Sequence, residues 1–160
     1  MKRIAEFYKI SKENFLKTES YTESDYENFS LPKRATAGSA GYDFYAINAF
    51  TLNPNETITV ATGVRSKIDD GWVLKIYPRS GLGFKYRATL NNTVGIIDSD
   101  YYYSENEGHI FIRITNCGDK VMSVEKGQGF AQGIFVEYGI TYSDEVTAVR
   151  NGGFGSTDKK

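Results

Sequence analysis

Several stretches of this chain alternate apolar and polar residues with a period of two, the signature of a strand with one buried face. Ile58 and Val60 share a face in TITVATGV, as do Trp72, Leu74 and Ile76 in WVLKIYP and Ile110, Ile112 and Ile114 around IFIRIT. Residues 129–138, GFAQGIFVEY, form a longer apolar run and predict a more fully buried strand. Gly-, Asn- and Asp-rich turns separate these segments. The pattern predicts an all-β domain, a sandwich or barrel, with one short central helix within GLGFKYRA, residues 81–88.

Residues 18–30, TESYTESDYENFS, behave differently: they carry four acids and no base and lack periodicity, so the region from 17 to 30 predicts a solvated acidic surface loop. Residues 91–103, NNTVGIIDSDYYY, predict a strand, a turn at Ser99 and Asp100, and a second strand. No repeat or linker divides the chain, and 160 residues suit one domain over 1–160 with its own core.

Composition narrows the function classes. A net charge of −1 gives no single-sign field for a nucleic-acid backbone, so DNA and RNA are not expected partners. No apolar run is long enough to cross a bilayer, so no membrane residence is expected. Cys117 is the one cysteine, which excludes an internal disulfide, and MKRIAEFYKISKE lacks the apolar centre of a signal peptide; a cytoplasmic location is expected.

Common catalytic kits are missing. His109 is the sole histidine and has no obvious Ser and Asp partners, and one His with one Cys cannot build an ordinary zinc site. Neither G-x-x-x-x-G-K-[ST] nor a strand followed by G-x-G-x-x-G occurs. Glycine instead clusters with cations and hydroxyls twice, in PRSGLGFK (residues 78–85) and in RNGGFGSTDKK (residues 150–160). Glycine lets backbone amides approach an anion, and Arg and Ser add donors suited to phosphate, although PRSGLG also fits a plain strand-ending turn. Asp98 suits a general base within reach of substrate and water, but taken alone it reads first as a turn aspartate.

Taken in order, five segments resemble the motifs of the trimeric dUTPases. They are AGYDFYA (residues 40–46) preceded by LPKRATAGS, then PRSG, the stretch from Asn92 to Tyr101, GQGFAQ (residues 127–132) and the C-terminal GGFGST. The resemblance spans about residues 31–157. It implies a β jelly-roll subunit in a homotrimer with shared active sites and an arm, residues 148–160, that crosses to a neighbour and closes over bound nucleotide. It implies hydrolysis of dUTP to dUMP and pyrophosphate by water attacking the α-phosphorus, with Asp98 as the base. Asn92, Gly95 and Ile97 would meet uracil, and Tyr101 would pack under the deoxyribose. Arg79, Ser80, Gly81 and Gln132 would grip phosphates. Phe154 and Gly155 would cover the base, and Arg150, Ser156 and Thr157 the terminal phosphates. Asp43 would support the site, and Mg2+ would ride on the substrate phosphates and water with no protein ligand.

Relative to the family pattern, Gly108 aligns only if residues 102–107 are an insertion, Arg150 stands one residue nearer the glycines than in many relatives, and Asp158 replaces a usual glycine. Two other readings share the motifs. A nucleotide-gated regulatory member would use residues 18–30 and 102–107 to dock a protein partner. A dCTP deaminase would need a glutamate in the strand after the hairpin, where this chain has Arg113.

Overall fold

The computed structural model describes residues 1–150 and 152. The chain runs through β1 (Ala5–Lys9), α1 (Lys12–Phe15), α2 (Glu23–Asn28), β2 (Lys33–Arg34), β3 (Tyr42–Tyr45), β4 (Phe50–Leu52), β5 (Thr57–Ala61), β6 (Val64–Ile68) and β7 (Trp72–Pro78). It continues with α3 (Ser80–Tyr86), β8 (Ala88–Leu90), β9 (Gly95–Ile97), a 3₁₀ turn (Ser99–Tyr103), β10 (Phe111–Asn116), β11 (Met122–Val124) and β12 (Gly129–Glu137). Every strand pairing is antiparallel. A five-stranded sheet has the order β2-β3-β12-β7-β9, a three-stranded sheet the order β5-β10-β8, and β1-β6 and β11-β4 form two further ribbons. This is the expected all-β jelly-roll architecture.

Alternation explains the core. Leu74 and Ile76 of β7, Phe44 of β3 and Ala131 of β12 meet Val60, Leu90, Ile112 and Ile114 from the smaller sheet in one buried cluster. Each fully buried side chain of this size contributes about 1.5–3 kcal/mol. Long β12 binds the large sheet together, because it pairs with β3 along one edge and β7 along the other. The short helix lies at 80–86, within one residue of the expected start. Among the described residues, no helix is long and apolar enough to cross a membrane.

Residues 18–30 are not the expected loop. Thr22 and Asp25 form a reciprocal capping box that starts α2, so the acidic stretch carries its own helix signal. Its aromatic residues are spaced to pack: Tyr21, Tyr26 and Phe29 surround fully buried Phe15, with Phe15 and Phe29 stacked at 5.4 Å. Asp25 is only 7% exposed and meets Lys126 Nζ at 2.6 Å. The hydrogen bond from Lys126, helped by those from Thr22, lowers its carboxyl pKa to about 2.

The turn in residues 91–103 also differs. The chain reverses at residues 91–94, where Thr93 takes a left-handed φ of 65° and bridges back to Leu90, and the second strand is β9. After Asp98 comes the 3₁₀ turn in place of a strand, since burial of Tyr101 draws the chain off the sheet edge.

His109 joins these parts. It is 6% exposed, and its Nε2 accepts the Gly63 N–H at 2.9 Å, which requires a neutral ring. Burial pushes its pKa down from 6.5 to about 4. The unfolded chain therefore binds a proton between these values that the folded chain refuses, so stability falls as pH drops from about 6.5 to about 4. Chemical denaturation across this window should show a loss approaching about 3 kcal/mol at the acid end, and His109→Gln should flatten that slope.

Candidate functional site

The expected residues gather in two groups, each built by a different part of the large sheet. In the first, Gln132 on β12 lies opposite Asp43 of β3 on one side and Tyr77 of β7 on the other. Arg79 follows β7 and extends its Nε to 3.2 Å from Asp43 Oδ1. Gln132 Nε2 donates to the Pro78 carbonyl at 3.3 Å. Gly129 permits this approach, because a Cβ there would stand 2.9 Å from Arg79 Nη1. Ser80 and Gly81 begin α3, whose N-cap Arg79 makes no side-chain capping bond, so amide donors remain at the helix start. Arg79, Ser80, Phe84, Gln132 and Ile134 line an open cavity of about 530 Å³. A guanidinium, a hydroxyl, an amide and free N–H groups suit an anion with several oxygens.

The second group belongs to the β8–β9 segment, called the hairpin below for its reversal at residues 91–94, although β8 pairs with β10 and β9 with β7. Asn92 is exposed at its turn, Gly95 faces Ile76 across the β9–β7 ladder, and Ile97 is buried. A cavity of about 500 Å³ opens here, lined by Thr59, Leu90, Asn92, Gly95, Ile97 and Arg113 among others. Apolar walls with a few polar groups fit a small planar ring. Asp98 follows β9 and stands at the rim of a further cavity of about 430 Å³, beside Lys75, Ser99 and Asp100.

Tyr101 is buried against the core. Its hydroxyl donates to the His109 carbonyl at 2.7 Å and accepts from Asn106 Nδ2 at 2.8 Å. Arg150 joins the group from the far end of the chain: Nη2 lies 2.6 Å from Asp98 Oδ2 and Nε 2.9 Å from Asp100 Oδ1. Its guanidinium carbon is 5.9 Å from the Tyr101 ring centroid. Phe154, Gly155, Ser156 and Thr157 lie outside the described residues.

The two groups face different ways. Ile76 and Tyr77 are neighbours on β7, and adjacent strand residues point to opposite sides of a sheet. Ile76 lines the hairpin cavity and Tyr77 the anion cavity, and none of the described residues lines both.

Four residues beside these groups were not among the site residues expected from the sequence. Arg113 lines the hairpin cavity, Asp100 accepts from Arg150, Asn106 holds the Tyr101 hydroxyl, and Ser104 donates to the Gly152 carbonyl at 3.2 Å. Acids two apart at 98 and 100 were a usable signal for a forked donor. Nothing local marks Asn106 or Ser104.

A dUTPase family profile matches residues 27–158. The deoxyuridine 5'-triphosphate nucleotidohydrolase of Lactococcus lactis is 40% identical over 131 residues, covering 80% of this chain and 87% of that protein. The protein of the same name from Actinobacillus succinogenes is 41% identical over 140 residues, covering 82% and 89%. Among solved structures, the dUTPase of Streptococcus mutans superposes with a TM-score of 0.66 at 34% identity, covering 84% of this chain and 97% of that one. A mutant dUTPase from phage phi11 of S. aureus, described with a structural Mg(II) ion, shares the fold with a TM-score of 0.65 at 20% identity, covering 91% and 98%.

Gly108 supports the hairpin group from behind. Its φ is +69°, and a Cβ would meet the Tyr101 carbonyl oxygen at 2.7 Å, a backbone contact that cannot swing away. Gly108→Ala should therefore destabilise the protein by about 2 kcal/mol or more in urea denaturation, through left-handed strain plus the clash.

Proposed function

This chain belongs to the dUTPase family, and we propose on that premise that it hydrolyses dUTP to dUMP and pyrophosphate. The observation that carries the residue assignments is the pairing of an anion cavity lined by Arg79, Ser80 and Gln132, with Asp43 holding Arg79, and a ring-sized cavity at Asn92, Gly95 and Ile97, with Asp98 next in sequence at the rim of the adjoining cavity. Uracil enters the hairpin cavity, where Asn92 and the backbone of Gly95 and Ile97 read its edge. Tyr101 backs the sugar side through the wall it forms with Arg150.

Asp98 acts as the general base. Its carboxylate takes a proton from water as the water oxygen bonds to the α-phosphorus. The bond from that phosphorus to the bridging oxygen breaks, and the electron pair leaves on pyrophosphate. Arg79, Ser80, the Gly81 amide and Gln132 offset the negative charge that develops there, and Arg150, Ser156 and Thr157 serve the terminal phosphates. Asp43 holds the Arg79 guanidinium at 3.2 Å and fixes its aim.

The donor set decides how a metal fits. The anion cavity offers mainly donors of hydrogen bonds, which suit phosphate oxygens. This fits Mg2+ carried on the substrate phosphates and waters, as its reluctance to dehydrate favours. Bound in that way it supplies charge neutralisation to the triphosphate.

The assembly is a homotrimer with shared sites. Two half-sites that face apart in one chain become one site when the hairpin of one subunit meets the anion cavity of another. Exposed Phe84, Ile140, Tyr142, Val146 and Val149 supply apolar surface for that packing. The compartment is the cytoplasm, where exposed Cys117 stays a free thiol.

Assays of each deoxynucleoside triphosphate with Mg2+ should show pyrophosphate release with dUTP and little with dTTP or dCTP; equal turnover of dTTP would remove the uracil selection. Asp98→Asn should bind a nonhydrolysable dUTP analogue as wild type does, yet lose at least about 100-fold in kcat. Unchanged turnover would exclude Asp98 as the base.

A further inference from the structure

The hairpin cavity has two unlike ends. At one end the chain reverses through residues 91–94; at the other, Ile97 leads into Asp98. β8 pairs with β10 at Ile114, Thr115 and Asn116, and the cavity opens beyond the end of that ladder, beside Phe111, Ile112 and Arg113. The Asn91 amide donates to the Arg113 carbonyl at 3.0 Å, which ties Arg113 to the start of the reversal. Arg113 is exposed while Ile112 and Ile114 on either side are buried, so its side chain leaves β10 on the face away from the core.

The guanidinium is uncommitted. Thr115, the next outward residue of β10, is held in a network of its own: its Oγ1 donates to Asn91 Oδ1 at 2.9 Å and stands 2.7 Å from Thr57 Oγ1. Arg113 has no such tie; among the described residues its side chain makes no ion pair or hydrogen bond, and none of the described residues lining the cavity is acidic. A solvated arginine on a strand face is ordinary. One that lines a mainly apolar, ring-sized cavity presents whatever enters with a positive charge and several N–H donors, and with no acceptor.

The chemistry of the base decides which atom it meets. With Asp98 acting at the α-phosphorus, the sugar lies at the Asp98 end of the cavity. The base joins the sugar through N1, and C4 is the ring atom opposite N1, so the C4 substituent points toward the reversal and Arg113. In uracil that substituent is a carbonyl oxygen, which accepts; in cytosine it is an amino group, which donates. A guanidinium stays charged at any working pH and only donates. It gains a hydrogen bond from uracil O4, whereas cytosine brings two donors face to face after both have lost water. Thymine keeps O4 and differs only by the C5 methyl, to which a donor at C4 is blind.

We propose that Arg113 is a specificity residue that separates uracil from cytosine by donating to O4, and that it takes no part in rejecting thymine. The inference rests on the reading of the hairpin cavity as the uracil site. It divides base selection between two devices: the Arg113 charge sorts the C4 substituent, and the apolar walls sort the C5 substituent by size.

The test compares full-length wild type with Arg113→Met, which keeps the length of the stem without donors, and Arg113→Lys, which restores a charged donor. Binding of nonhydrolysable dUTP, dCTP and dTTP analogues is measured with Mg2+. Arg113→Met should shrink the preference for the dUTP over the dCTP analogue at least about tenfold and move the preference over the dTTP analogue less than about twofold. Arg113→Lys should recover part of the lost preference. In turnover, Arg113→Met should raise KM for dUTP more than it lowers kcat, because the residue stands at the end of the ring remote from phosphorus. An unchanged dUTP-to-dCTP preference in Arg113→Met overturns the proposal. So does equal weakening of all three analogues, which would make Arg113 a general attractor of the triphosphate. Selection lost in Arg113→Met while wild type releases no pyrophosphate from dUTP would instead support Arg113 and defeat the hydrolytic reading.

Discussion

Successive side chains of a strand leave the sheet on opposite sides, and β7 and β12 turn this rule into the layout of the whole site. On β7, Ile76 is buried toward the core and the hairpin while Tyr77 faces the anion cavity; on β12, Ala131 is buried while Gln132 turns outward beside Asp43 and Tyr77. Because β12 sits between β3 and β7, the outward residues of three strands converge on Arg79. The same alternation keeps the hairpin cavity apart from them. A chain built in this way carries two halves of a site, and in our account a second copy joins them.

The strand framework was legible because each buried face announces itself every second residue. Ile110, Ile112 and Ile114 are all buried, as the alternation required. The cluster of Arg79, Ser80 and nearby glycines was visible as residue types suited to an anion, although PRSGLG also fits a plain strand-ending turn. What could not be read depends on distant partners or on weak local signals. The capping box of Thr22 and Asp25 was present in the sequence but sat within a run that looked merely charged. Asn106 and Ser104 gain meaning only when the Tyr101 hydroxyl and the Gly152 carbonyl arrive beside them. Glu107 meets Ser11 across 96 residues of chain, and no local pattern reports such a contact.

The parts outside the shared motifs are structural supports of the site. Residues 1–26 precede the family match, yet they contribute β1, which pairs along β6, and the aromatic cluster around Phe15 that contacts Gly63. Gly63 in turn donates to His109, and His109 accepts the Tyr101 hydroxyl on its carbonyl. A continuous path of packing and hydrogen bonds therefore runs from the N-terminal helices to the turn that bears Asp98. Loss of the neutral imidazole in this path weakens the fold at acid pH.

The central claim is that Asp98 and Arg79 of a single site belong to different chains. Mixed trimers of Asp98→Asn and Arg79→Ala subunits, purified through two tags, test it most directly with dUTP turnover as the readout. Each parent trimer should be nearly inactive, and the mixture should recover turnover because one interface per trimer unites an intact Asp98 with an intact Arg79. Mixed trimers no more active than their parents would contradict the account.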